Sequence, residues 1–176
     1  PVQGGQAVQA VPGSGLQVPL WILGSSLDGA QVAAMLGLPY AFASHFAPDA
    51  MLDALRVYRA GFQPSAQCPT PYAMIGVNIV AAQTDADALR LFSTVQQSYA
   101  LLHRGQRGLQ RPPIDDIEAF WTPTEKRLAM QMLQVSVVGS PDTVSAGLAR
   151  LLEITHADEL MVVSNIFEPA ARHESY

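Results

Sequence analysis

Apolar residues in this chain fall into short dense runs separated by stretches of helical spacing, and most of the runs end on small polar residues. The first, residues 18–23 (VPLWIL), is almost continuously apolar, as in a strand of a parallel sheet covered on both faces. It stops at Gly24-Ser25-Ser26. Ala30, Val32, Ala33, Ala34, Met35 and Leu36 then carry a predicted helix to Gly37. Residues 38–43 form a second apolar run, closed by Ser44 and His45. The stretch 18–45 therefore reads as one βαβ unit with its polar groups at the C-terminal ends of the strands. A helix that starts on Gly-Ser-Ser is a ready anion site, because its free N–H groups and dipole point outwards.

The same unit recurs downstream. Residues 1–17, rich in Gly, Gln, Pro and Val, form a predicted lead-in loop. Met51, Leu52, Leu55, Val57, Tyr58 and Phe62 sit at helical spacing within 48–62, and residues 73–82 give a third strand rich in Val and Ile. A long helix runs from Thr84, with its acidic first turn, to Arg104, and residues 105–113 break it. Thr122-Pro123-Thr124-Glu125 has capping-box spacing with proline at the first helical position. Residues 135–138 are a short apolar run before the Ser140-Pro141 helix start; 160–163 is the last strand, ended by Ser164-Asn165, and a helix opens at Pro169. Strands alternating with helices, without tight hairpins, predict a parallel α/β sheet. Four of the runs are convincing strands. Four such strands leave two apolar edges; with a first residue that is proline rather than methionine, the expectation is one part of a larger closed or extended sheet.

Composition narrows the function classes. The chain has 176 residues, 49% hydrophobic and 14% charged, enough for a sizeable core without wholesale disorder. A net charge of −5 argues against nucleic acid or an anionic membrane as the main partner. The single cysteine, Cys68, read as a loop thiol, excludes an internal disulfide framework and a cysteine metal cluster. No apolar run approaches the ~20 residues of a membrane span, and no signal-peptide pattern precedes the first strand; the expectation is a cytoplasmic protein. GxGxxG after a strand, GxxxxGK[ST], HExxH and GxSxG are all absent, so Rossmann, P-loop, zinc-protease and α/β-hydrolase chemistry lack their fingerprints, and no metal site is expected.

Six blocks in order carry a family resemblance: VPLWILGSS (18–26), LGLPYAFASHFAP (36–48), PYAMIGVNIVAA (71–82), WTPTE (121–125), VVGSPDTV (137–144) and ADELMVVSNIFEPAARHESY (157–176). The sequence resembles the luciferase-like monooxygenases, flavin-dependent (β/α)8-barrel oxidoreductases, over almost its whole length. The resemblance implies the C-terminal half of the barrel, strands five to eight, with the N-terminal half absent. It implies reduced FMN as cosubstrate, with deazaflavin as the family's other cofactor, and O2, a small organic substrate, a flavin reductase and a homodimeric state as partners. Gly24, Ser25 and Ser26 would hold the flavin phosphate, although Gly29 stands where relatives often carry a further hydroxyl. Ser44, His45, Asn78 and Ser164 would line the flavin and substrate pocket at the C-terminal rim, where barrel active sites gather. The family's catalytic histidine and main phosphate-binding arginine belong to the absent half, so no catalytic acid or base is named.

Plainer readings stand beside these. Gly24-Ser25-Ser26 could simply cap a helix, His45 could be a satisfied strand-end histidine, and Asn78 could bond neighbouring backbone. Gly139-Ser140-Pro141 is explained by capping. His103, His156 and His173 read as surface residues, and Arg56 and Arg59 as a solvated helix face. The alternative at the level of function is a non-catalytic flavin-binding or partner subunit derived from the same fold, or an inactive fragment.

Overall fold

A computed structural model describes residues 12–13, 15–106 and 108–176. Its elements are β1 (Ile22–Gly24), α1 (Leu27–Leu36), β2 (Tyr40–Phe42), a 3-10 turn (Pro48–Ala50) leading into α2 (Met51–Gly61), β3 (Ala73–Ala81), α3 (Asp85–His103), α4 (Pro123–Met132), β4 (Ser136–Gly139), α5 (Pro141–Thr155), β5 (Glu159–Val163) and α6 (Pro169–Ser175). Most of the predicted lead-in loop lies outside the described residues; its remainder holds a turn at residues 12–13 and no helix or strand.

Every strand pairing is parallel, and β1, β2, β3 and β5 lie side by side in chain order. Helices make the crossovers, as parallel neighbours require. The sheet has a fifth strand, β4, where the sequence pattern shows only a short apolar run. β4 pairs with Asn78–Ala81, the part of β3 that continues past its pairing with β2 at Ala73–Ile75. Both neighbours lie on one edge of β3: Tyr72 C=O accepts from Tyr40 N–H, Asn78 N–H donates to Val135 C=O and Ala82 N–H to Gly139 C=O, all at even positions. Ala73 C=O, at an odd position, accepts from Asp158 N–H on the β5 side. Alternate residues of a strand bond to opposite sides, so β3 is flanked by β2 and then β4 on one side and by β5 on the other.

The side chains of β3 are buried on both faces over its C-terminal half. Ile75, Val77 and Ile79 join Tyr40, Phe42, Ala30, Ala54, Leu55, Val144 and Leu151 in the main core, under α1, α2 and α5. Val80 faces the other way, into a second cluster with Phe92 and Val95 of α3 and Ile166. At the first strand the outcome differs from the sequence reading. Only Ile22–Gly24 is strand, and Val18, Leu20 and Leu23 are 67%, 61% and 74% exposed. The Gln67 side chain bonds both the N–H and the C=O of Leu20, as a strand neighbour would. The apolar run is written for covering elements, and none of the described residues covers Val18, Leu20 or Leu23.

The starts of α3 and α4 follow their sequence signals. Thr84 caps α3 through Asp87 N–H, and Thr122 and Glu125 form a complete capping box on α4. Ser140 occupies the N-cap position of α5, but its hydroxyl caps no helix N–H; its own N–H donates to Asp85 Oδ1 at 2.6 Å. That bond is the leading cause of the lowered pKa of Asp85. No helix among the described residues is long and apolar enough to cross a membrane.

Candidate functional site at the strand C-termini

Strand register brings the polar ends of the apolar runs to one rim. Gly24 pairs with Phe42 and Phe42 with Ile75, so the turn that follows β2 comes up against the middle of β3, with His45 beside Gly76; Asn78 pairs in turn with Val163. The rim therefore collects the Gly24-Ser25-Ser26 turn, the segment 43–45, the middle of β3 and the end of β5.

The turn is held from below. Tyr40, fully buried in β2, donates its hydroxyl to Ser26 C=O at 3.1 Å, and burial pushes its pKa up to about 12. Ala43 N–H donates to Gly24 C=O at 2.8 Å. A Cβ at Gly24 would lie 3.4 Å from both Gly29 Cα and the Tyr40 ring, which shows how closely strand, turn and helix approach here. Ser26 is the N-cap of α1: its hydroxyl accepts from Gly29 N–H at 3.4 Å and keeps its own proton to donate. Ser25 and Ser26 are exposed. The N–H groups of Leu27 and Asp28, in the first turn, have no intrahelical acceptor.

These features fit a phosphate group: free N–H donors, two hydroxyls and the positive end of a ten-residue helix. The electrostatics of the turn are incomplete. Asp28 places a carboxylate in the same first turn, and residues 22–36 contain no lysine or arginine. Any cation that neutralises a phosphate here comes from outside that segment.

A second feature of the rim is a cavity of about 160 Å3, reached by His45 and Asn78 and walled by Val77, Val95, Tyr99 and Leu133 among others. Asn78 is 6% exposed, and neither its amide nitrogen nor its oxygen has a hydrogen-bond partner. Leaving a buried polar group unpaired costs about 1–3 kcal/mol, so this amide is placed at some expense of stability. The reading of Asn78 as an amide satisfied by neighbouring backbone does not apply. His45 is seated against Gly76, where a Cβ would come within 3.0 Å of Nδ1, and its ring lies 4.3 Å from that of Phe46. Tyr99, whose pKa is raised by burial, donates its hydroxyl to His45 C=O at 3.3 Å.

The other two expected pocket residues face different partners. Ser44 is fully buried and donates its hydroxyl to Gly76 C=O, clipping the end of β2 to β3. The hydroxyls of Ser164 and Ser175 are hydrogen-bonded at 3.2 Å, and Ser175 Oγ also accepts from Ala81 N–H, which moors α6 to β3. From the end of β5 it is Asn165 that lines the cavity, together with Val163. Tyr99 and Leu133 come from α3 and the end of α4, and nothing in the sequence marked them as rim residues.

The luciferase-like monooxygenase profile matches residues 2–158. The chain belongs to the luciferase-like monooxygenases. A luciferase-like monooxygenase of Escherichia coli (strain K12) is 48% identical over 169 residues, covering 96% of this chain and 50% of that protein. The crystal structure of apo-MsnO8 superposes with a TM-score of 0.84 at 34% identity, over 98% of this chain and 52% of that one. The oxygenating constituent of 3,6-diketocamphane monooxygenase from Pseudomonas putida, in complex with FMN, shares the fold at 19% identity, with a TM-score of 0.54 over 88% of this chain and 44% of that one. This luciferase-like chain thus spans about half the length of the relatives it matches, and its sheet and helices make up about half of a (β/α)8 barrel. In that frame β1, β2, β3 and β5 are consecutive barrel strands, and β4 is an addition to the C-terminal half of β3.

Proposed function

We propose that this chain is part of a flavin-dependent monooxygenase that uses reduced FMN and O2 to oxidise a small organic molecule. The observation that carries the reading is the Gly24-Ser25-Ser26 turn, an anion cradle on the same rim as a cavity with an unpartnered buried amide. Membership of the family agrees with it, as does the FMN bound to the camphane monooxygenase of the same fold. Leu27 and Asp28 N–H and the hydroxyls of Ser25 and Ser26 would hold the phosphate. When bound, the reduced flavin would supply the reactivity towards O2. The chain's own residues would do the rest: Asn78 and His45 would orient polar atoms at the rim, while Val77, Val95 and Leu133 would keep water from it.

The test is a titration of the chain with FMN and with riboflavin, which lacks the phosphate, followed by flavin fluorescence. FMN should bind more tightly, and Ser25→Ala with Ser26→Ala should weaken FMN by about a hundredfold or more, two hydrogen bonds to a charged group being lost, while leaving riboflavin unchanged. Equal affinities for the two flavins would remove the turn from the reading. Oxygen uptake with reduced FMN, measured on the same preparation, tests the activity itself.

A further inference from the structure

Among the described residues, Asn78 is the side-chain amide whose nitrogen and oxygen are both buried and both without a partner. It borders the cavity of about 160 Å3, too small for more than a head group. Beside it lies a second cavity of about 300 Å3, lined by Phe46, Leu101 and Leu102, and the two share Tyr99 and Met132 as walls. The Tyr99 hydroxyl is tied to His45 C=O. No lysine or arginine is found among the described residues lining either cavity.

We propose that the inner cavity receives the polar end of an organic ligand that presents a hydrogen-bond acceptor beside a donor, as a carboxamide does, and that the ligand's apolar body lies in the outer cavity past Met132. The proposal rests on the reading of the rim as a substrate site and names the substrate's chemical class. A primary amide offers a donor and an acceptor side by side, and a second amide meets both at once, in the two-point manner in which asparagine reads adenine. A ligand with only an acceptor leaves one atom of Asn78 unpaired. A carboxylate offers acceptors and no donor, so it too leaves the Asn78 oxygen unpaired.

The experiment is calorimetric titration of the 176-residue chain, without flavin, with octanamide, methyl octanoate and octanoate. Octanamide should bind at least about tenfold more tightly than either other probe, because a site built for a donor and acceptor discriminates strongly against analogues lacking one. Asn78→Leu should erase that preference and raise the melting temperature, since an apolar group of similar volume replaces an unpaired amide. Met132→Trp should weaken all three probes by obstructing the junction. Equal binding of octanamide and methyl octanoate, absence of octanamide binding, or a lowered melting temperature in Asn78→Leu would each overturn the proposal. A chain that binds FMN through its turn but shows no preference for octanamide sinks this inference alone; one that prefers octanamide but binds no FMN sinks the cofactor reading alone.

Discussion

Tyr58 shows how much one hydroxyl can organise. It is fully buried, donates to Leu38 C=O at 2.9 Å and accepts Tyr72 N–H at 3.0 Å, joining the entry of β2 to the entry of β3. Tyr58→Phe keeps the ring and strands both backbone groups, so urea unfolding should show a loss of about 1–3 kcal/mol. Gly37, which ends α1 at φ +60°, is as constrained: a Cβ there would stand 2.2 Å from Gln63 C=O. Gly37→Ala should cost at least about 1–3 kcal/mol from the backbone conformation alone, read as a lowered urea midpoint. Sequence shows the residue types at this scale but not their pairing. Gly37 was legible as a helix stop, yet Arg59, expected on a solvated face, donates instead to Thr155 C=O and His156 C=O at the end of α5. That contact joins residues almost a hundred positions apart, beyond the reach of any local pattern. Asn78 was visible as a strand amide, while its lack of a partner is a property of three dimensions.

Between elements, the α3 to α4 junction is the clearest electrostatic joint. Glu125 closes the capping box on Thr122 N–H and forms a two-point pair with Arg104, whose guanidinium also reaches Phe120 C=O and lies 4.8 Å from the Phe120 ring centroid. The Arg104 hydrogen bonds, and then the Thr122 N–H, hold the Glu125 carboxyl down at about 2, against an ordinary 4.5. A carboxyl with a depressed folded pKa stabilises fully above its unfolded value, and the benefit is lost as pH falls through the folded one. Stability should therefore drop between about pH 4.5 and pH 2, and Glu125→Gln should flatten that part of a melting-temperature profile while lowering the plateau at neutral pH. Caps are the most legible features in the chain because they are local: Thr84, Thr122 and Glu125 act where their spacing places them. β4 was harder to read, since so short a run becomes strand only because β3 outruns β2 and offers it a free ladder.

At the scale of the molecule, the sheet ends on an apolar edge. Leu20, Leu23, Met35 and Leu36 are each more than half exposed on or beside β1 and α1. Exposed apolar surface next to an unpaired strand favours association. Leu23→Lys should raise the concentration at which the chain self-associates by about tenfold or more, as a charge on an edge strand commonly does, measured by sedimentation velocity. The α/β class and the order of elements were legible in the alternation of runs and helical spacing. How far the first strand extends was not, because residues 18–23 are as apolar as a buried strand whether or not anything in the chain covers them.

The forked arrangement around β3 bears on the order in which the chain can set. β3 pairs with β2 some thirty residues earlier, with β4 almost sixty later and with β5 more than eighty later. Closing the larger of these loops costs more entropy, so β1 to β3 with α1 and α2 can assemble while the rest is still being made, and β5 locks last. Once locked, the three partners hold one another through a single strand. The amides of Ile75 and Asn78, which have a paired strand on each edge and are buried, should be the slowest in the molecule to exchange with deuterium, while those of α6, which buries none of its residues, should exchange first.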